Sequence, residues 1–275
     1  MTVIQIRHVI FTRVERAYSL NNSTGYQIVY QSLTLGKETV QIEKQLQCFG
    51  GGRQKNSRYQ FFWTEKDQVV LAKSVPLIQP DPDVIDRAQR DAFLAHALVV
   101  SKEEFATVYN DPFAVFEAAE NENLFAEDEE QLVSYLRGQE PVARLDVPLR
   151  RPDDGGGLLA DWQPGDLLKL YQLGIQAPAL SRQQRSLLLL AEDQDEIASL
   201  LNLMLLLIPP EFRPPCTFDT CVDGCSPSVG AFWAVGSSTS RSHPGFLPIR
   251  LVEQRLEVKG GDDGLLDPKA LAYLA

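Results

Sequence analysis

The sequence predicts an α+β protein, with a strand-rich N-terminal domain over residues 1–150 and a smaller α/β domain over 158–275 that could continue beyond the chain end. Three observations lead there. Runs of β-branched and aromatic residues recur through the first hundred positions. Helix-start signals appear from Ser101 onward. In the second half, apolar runs alternate with helical stretches, the order of a strand–helix–strand unit. Between the two parts stands Arg150-Arg-Pro-Asp-Asp-Gly-Gly-Gly157, charged, proline-containing and glycine-rich, as a linker would be.

Val3 to Thr12 reads as the first strand, and Gly25-Tyr-Gln-Ile-Val-Tyr-Gln-Ser32 as the second. The intervening Asn21-Asn-Ser-Thr-Gly25 is turn chemistry, small polar residues ending in a glycine. Val40 to Phe49 suits a short amphipathic helix that stops at Gly50-Gly-Gly52. Tyr59 to Thr64 and Val69 to Val75 form two strands joined by the hairpin residues Glu65 to Gln68, and Ala92 to Val100 forms a fifth. Ser101-Lys-Glu-Glu104 is a capping box, so a helix should start there. Asp111-Pro-Phe opens another, with proline in the first turn.

The second half follows the same rules. Gln163-Pro-Gly-Asp166 leads into a helix to about Leu173, which Gly174 is expected to end. Ser186-Leu-Leu-Leu-Leu-Ala191 is apolar without alternation, the pattern of a strand buried on both faces. Asp195 and Glu196 suit the start of a helix running through the apolar Ile197 to Ile208, which Pro209 and Pro210 stop. Cys216 to Thr220 and Ala231 to Val235 read as core strands. Near the end, Asp267 and Pro268 are a cap and first residue for a short terminal helix.

Composition excludes several functions. An excess of 37 acidic over 26 basic residues, a formal charge of -11, argues against nucleic-acid binding, which needs a basic face, and against attachment to anionic lipid. The longest apolar run is far short of the ~20 residues of a membrane span. Met1 to His8 alternates polar and apolar residues without a charged leader, so the expected location is the cytoplasm. The charge is also unevenly spread. Glu117 to Glu130 holds seven acidic residues and no basic one, and Glu127, Asp128, Glu129 and Glu130 are its densest part. Such a run is a solvated face or, more sharply, a docking site for a basic partner.

Candidate chemistry is sparse, and no catalytic residues or cofactor are expected. Cys216, Cys221 and Cys225 are spaced C-x4-C-x3-C, with His243 near enough in sequence to be a fourth zinc ligand of an interaction module. The paired C-x2-4-C hairpins of a zinc knuckle are missing, and the simpler reading is free thiols in a reducing compartment. Cys221 or Cys225 with His243 also imitates the nucleophile and base of a cysteine-dependent enzyme, with no helix start behind either thiol to activate it. His8 and His96 lie in strands, where hydrogen-bonded structural histidines are common. Gly50-Gly-Gly-Arg-Gln-Lys55 could meet an anion but lacks the phosphate-loop arrangement. Arg7 or Arg13, Ser238-Thr-Ser240, and Glu253 or Glu257 copy the order of an ADP-ribosyltransferase, without the spacing that ends that motif. Arg213, set between prolines, suits a corner anchored through a carboxylate or carbonyl, with a partner-facing arginine finger as the functional alternative.

Six scattered segments resemble one family. They are Arg7 to Arg13, Gly25 to Ser32, Arg90 to Val100, Asp111-Pro-Phe, Leu188 to Gln194, and Leu207-Ile-Pro-Pro-Glu-Phe-Arg-Pro-Pro-Cys-Thr-Phe-Asp-Thr220. Their order is similar to the N-terminal and middle domains of GTPase-associated protein 1 of bacterial GTPase-centred conflict systems, over residues 5–235. The prolines around Arg213 and the cysteine cluster depart from it. The resemblance implies an adaptor or regulatory component with a GTPase or other conflict-system protein as partner, and it carries no catalytic residue. His96 and Gly25 to Gln27 match positions of the family's motifs.

Overall fold

The computed structural model describes residues 1–47, 57–77, 92–138, 143–150, 162–182, 185–223, 231–238, 245–252 and 255–258. The glycine-rich Gly50 to Lys55, the linker after Arg150, Cys48, Cys225, Thr239, Ser240, His243, Glu253 and the terminal segment with Asp267 lie outside the described residues. The chain is an α+β protein rich in strands. It divides into two compact units, Met1–Leu149 with Val222–Cys225, and Arg150–Cys221 with Ser226–Ala275.

The first unit is built on five antiparallel strands. β2 (Arg7–Val14) pairs with β3 (Gly25–Gln31) on one side and β6 (Phe93–Ser101) on the other. β5 (Gln68–Pro76) pairs with β6 and with β4 (Arg58–Trp63), giving the order β4-β5-β6-β2-β3. The first expected strand is in fact two. β1 (Thr2–Gln5) pairs antiparallel with β7 (Arg144–Val147), a partner that local pattern does not reveal. The chain then passes Ile6, whose N–H donates to the Ala143 carbonyl at 2.9 Å, and enters the large sheet as β2.

Helices cover both faces of this sheet, which is why β6 is buried from Phe93 to Val100 rather than alternating. α1 (Glu38–Leu46) begins two residues before the sequence expectation and buries Ile42 and Leu46. The opposite face carries α2 (Lys102–Thr107), α3 (Pro112–Asn121) and α4 (Glu129–Leu136). The helix starts where the capping-box pattern places it, with Glu104 N–H donating to Ser101 Oγ at 3.2 Å and Ser101 Oγ, in place of its backbone N–H, donating to the Glu104 carboxylate at 2.9 Å. Asp111 caps α3 by accepting from the N–H groups of Phe113 and Ala114.

The second unit centres on β8 (Ser186–Leu190), buried throughout as its unbroken apolar run requires. It is flanked in parallel by β10 (Ala234–Ser237) and β11 (Phe246–Val252), and β9 (Phe218–Asp219) extends the sheet beyond β10. β12 (Arg255–Val258) returns antiparallel to β11. The strands expected at 216–220 and 231–235 shorten to β9 and shift to β10. Three helices accompany them: α5 (Pro164–Ile175), α6 (Ala177–Arg182) and α7 (Gln194–Leu207), the last capped by Asp193 rather than opened by Asp195. Gly174 does not end α5. It sits inside the helix, where an added Cβ would stand 2.1 Å from Ile208 Cδ1. The glycine is therefore present for close packing, and the C-terminal signal read from sequence is overridden by a tertiary contact. Among the described residues, no helix is long and apolar enough to cross a membrane.

Candidate functional site

The chemistry-bearing side chains of the first unit converge on the face covered by α3 and α4. Lys73 lies directly opposite Tyr59 on β4 and His96 on β6, and His96 lies opposite Ile10 on β2. Cross-strand partners share a face, so these residues and His8, two positions before Ile10, point the same way. The segment 122–128 between α3 and α4 runs over them as a strap, burying Leu124, Phe125 and Ala126.

Lys73 is almost fully buried and held by two carboxylates. Its ammonium donates to Glu120 Oε1 and to Glu127 Oε1, each at 2.6 Å. Tyr59 Oη donates to the same Glu120 oxygen at 2.7 Å. The ammonium also stands 5.6 Å from the Tyr59 ring centre and 5.9 Å from that of Phe125. Burial alone would pull the Lys73 pKa down, but the two carboxylates outweigh it and hold the group above its ordinary value. Burial, with the Glu120 hydrogen bond second, raises Tyr59 as well. This charged Lys73 and neutral Tyr59 are suited to fastening the strap, and neither is prepared for proton transfer.

Beside them His96 is wholly buried between two partners. Its Nδ1 lies 2.8 Å from the Ala126 N–H, an obligate donor, so Nδ1 is the acceptor. Neutral His96 therefore carries its proton on Nε2, which lies 2.9 Å from His8 Nδ1 and donates to it. Phe125 and Tyr135 pack edge-on against the His96 ring. Burial, and secondarily the neighbouring His8, holds His96 well below the usual histidine range. A neutral ring with both nitrogens engaged has neither a free lone pair for a metal nor room for a substrate.

The acidic segment has a divided role. Glu127 pairs with Lys73, and its N–H donates to Gln131 Oε1 at 2.7 Å. Asp128 is the N-cap of α4, accepting from Gln131 N–H at 2.8 Å. Glu129 and Glu130 occupy the first helical turn, where negative charge is favoured by the helix dipole. Glu117, Glu122, Glu127, Asp128 and Glu130 are exposed.

In the second unit, Arg213 is buried and its Nε donates to the Ile208 carbonyl at 2.9 Å, the corner anchor its setting suggests. Cys216 and Cys221 are buried free thiols. Cys216 Sγ contacts the Phe212 carbonyl at 3.3 Å, and burial, opposed only by Arg213, pushes its pKa up. Cys221 Sγ accepts from Gln194 Nε2 at 2.8 Å. For Cys216 these surroundings disfavour a thiolate. Among the described residues, no group of three or more His, Cys, Asp or Glu could hold a metal. The arginines of the ADP-ribosyltransferase order are engaged elsewhere: Arg7 donates to Gln68 Oε1, and Arg13 lies 5.8 Å from the Tyr26 ring centre.

Lys73, Tyr59 and Glu120 carry no functional motif, and sequence reading passes over them. The one available signal is Lys73 itself, a charge in the middle of Val69-Val-Leu-Ala-Lys-Ser-Val75. A scan against models of protein families finds no match to this chain. A search of curated proteins finds no significant match either.

Proposed function

We propose that this chain is a non-enzymatic adaptor or regulatory component of a bacterial GTPase-linked conflict or defence system, acting in the cytoplasm through protein–protein contacts. The supporting observation is the mounting of the acidic segment. Its carboxylates are displayed along the end of α3, the strap and the first turn of α4, over a base pinned by Lys73 and His96. A preorganised acidic edge loses little conformational freedom on binding and steers a basic surface toward it. The GTPase link comes from the sequence resemblance, and the buried, internally satisfied state of Lys73, His96 and Cys216 favours a structural over a chemical role for them.

The test is to look for a GTPase encoded beside this gene and to co-purify it with the chain in nucleotide-free, GDP and GTP-analogue states. Glu122→Gln, Glu129→Gln and Glu130→Gln together should weaken association at least tenfold, and association should fall between 50 and 500 mM salt. Glu127 and Asp128 are left intact because they hold the fold. Failure to associate in every nucleotide state would refute the proposal.

A further inference from the structure

The strap is fastened by a hydrogen-bond chain with no vacancy for another proton. Ala126 N–H donates to His96 Nδ1, and His96 Nε2–H donates to His8 Nδ1. A proton added at His96 Nδ1 would face the Ala126 N–H, donor against donor. A proton added at His8 Nδ1 would face His96 Nε2–H in the same way. Shifting the His96 proton to Nδ1 would only return the conflict to Ala126. The histidine pair can therefore charge only if a bond in this chain breaks, and the bond to the strap is the one leading to the surface.

We propose that the 122–128 strap is a proton-released latch, in which protonation of His96 breaks its bond to Ala126 and frees the strap from the sheet. Its other fastenings are Tyr135 Oη donating to the Leu124 carbonyl at 3.1 Å, Leu124 N–H donating to the Ala119 carbonyl at 2.9 Å, Glu127 N–H donating to Gln131 Oε1 at 2.7 Å, the Lys73–Glu127 pair, and the packing of Phe125 on His96 and Phe116. The charged or titratable groups facing this region are His8 from β2, Lys73 from β5, Tyr59 from β4, Tyr30 from β3 by way of Tyr135, Tyr135 from α4, Glu120 from α3, and Glu127 on the strap itself. Lys73, Tyr59 and Tyr135 are all pushed upward, away from the acid range. The sign follows from the depressed His96: the open strap takes up a proton near the ordinary pKa of ~6.5, while the closed one resists. Closure is thus complete above that pH and is lost as pH falls toward the lower value of the closed state. Release would also displace the acidic segment, a consequence that rests on the docking reading above.

Hydrogen exchange on the isolated chain tests the latch without reference to any partner. After correction for intrinsic rates, protection of the Ala126 amide should fall about tenfold per pH unit below ~6.5, the slope of one proton taken up on opening. The β6 amides should keep their protection. His96→Gln, which offers a non-titrating acceptor, should abolish the slope, and Glu127→Gln should leave it intact. The proposal is overturned if wild-type Ala126 protection is flat from pH 6.5 to 5, or if the β6 amides fall in parallel. A slope that survives His96→Gln, or disappears in Glu127→Gln, overturns it too. Because the wild-type series is itself decisive, a misfolded His96 variant would not shield it.

Discussion

Replacing Lys73 by methionine removes the ammonium while retaining much of the apolar stem against Tyr59 and Phe125. Hydrogen bonds to charged groups contribute about 1.5–3 kcal/mol each when well buried. Here the lysine side chain is 9% exposed, but its acceptors Glu120 and Glu127 are 36% and 47% exposed. Water screens both pairs and rehydrates the carboxylates once the lysine is gone, which draws each contribution toward ~1 kcal/mol. Loss of the ammonium also relieves its own desolvation. The expected net cost of Lys73→Met is about 1–2 kcal/mol. Lys73→Ala, which also loses the stem's packing, should reach about 3 kcal/mol. Two units make whole-chain denaturation ambiguous, so the better assay is native-state hydrogen exchange of the β5 and β6 amides, which reports opening of this sheet. A cycle with Glu127→Gln should show coupling of at least ~0.5 kcal/mol. A Lys73→Met protein as stable as the wild type, or more stable, would show that desolvation outweighs both pairs. The ammonium could then not be what holds the strap.

The remaining predictions concern other parts of the molecule. Asp128→Ala should cost about 1 kcal/mol through loss of the α4 cap, whereas Asp128→Asn keeps the cap and should cost a few tenths, as read by exchange of the α4 amides. Gly236→Ala places a Cβ 2.2 Å from the Thr220 carbonyl oxygen and 2.7 Å from Ile197 Cγ2, so backbone must move. The loss should lie at the upper end of the ~1–3 kcal/mol typical of overpacking, visible as a lowered thermal transition of the second unit. Cys216 and Cys221 should resist alkylation in the native protein at pH 8 and react on unfolding, as followed by peptide mapping. Native labelling of either at the rate of a free thiol would contradict its burial.

Legibility in the sequence tracked the range of the interaction. The capping box at Ser101, the Asp111-Pro112 helix start and the Arg213 corner all depend on partners within five residues, and all were readable. So was β8, because a strand buried on both faces shows its burial in its own composition. Gly174 and Gly236 misled or stayed silent, since their purpose is the approach of Ile208 and Thr220 from elsewhere in the chain.

The sequence by itself determined the α+β class, most of the element starts and the acidic character of 117–130. These follow from propensity, caps and periodicity, which act over one or two turns. Only the tertiary structure decided what the acidic run is attached to. His8 meets His96 across 88 residues, and Lys73 reaches Glu120 and Glu127 across 47 and 54. Strand order and register set those meetings, and no local pattern encodes which strands lie side by side. It is the sheet, therefore, that ties Glu127 of the acidic run to a buried lysine, whereas the cap that Asp128 makes to Gln131, three residues away, is local.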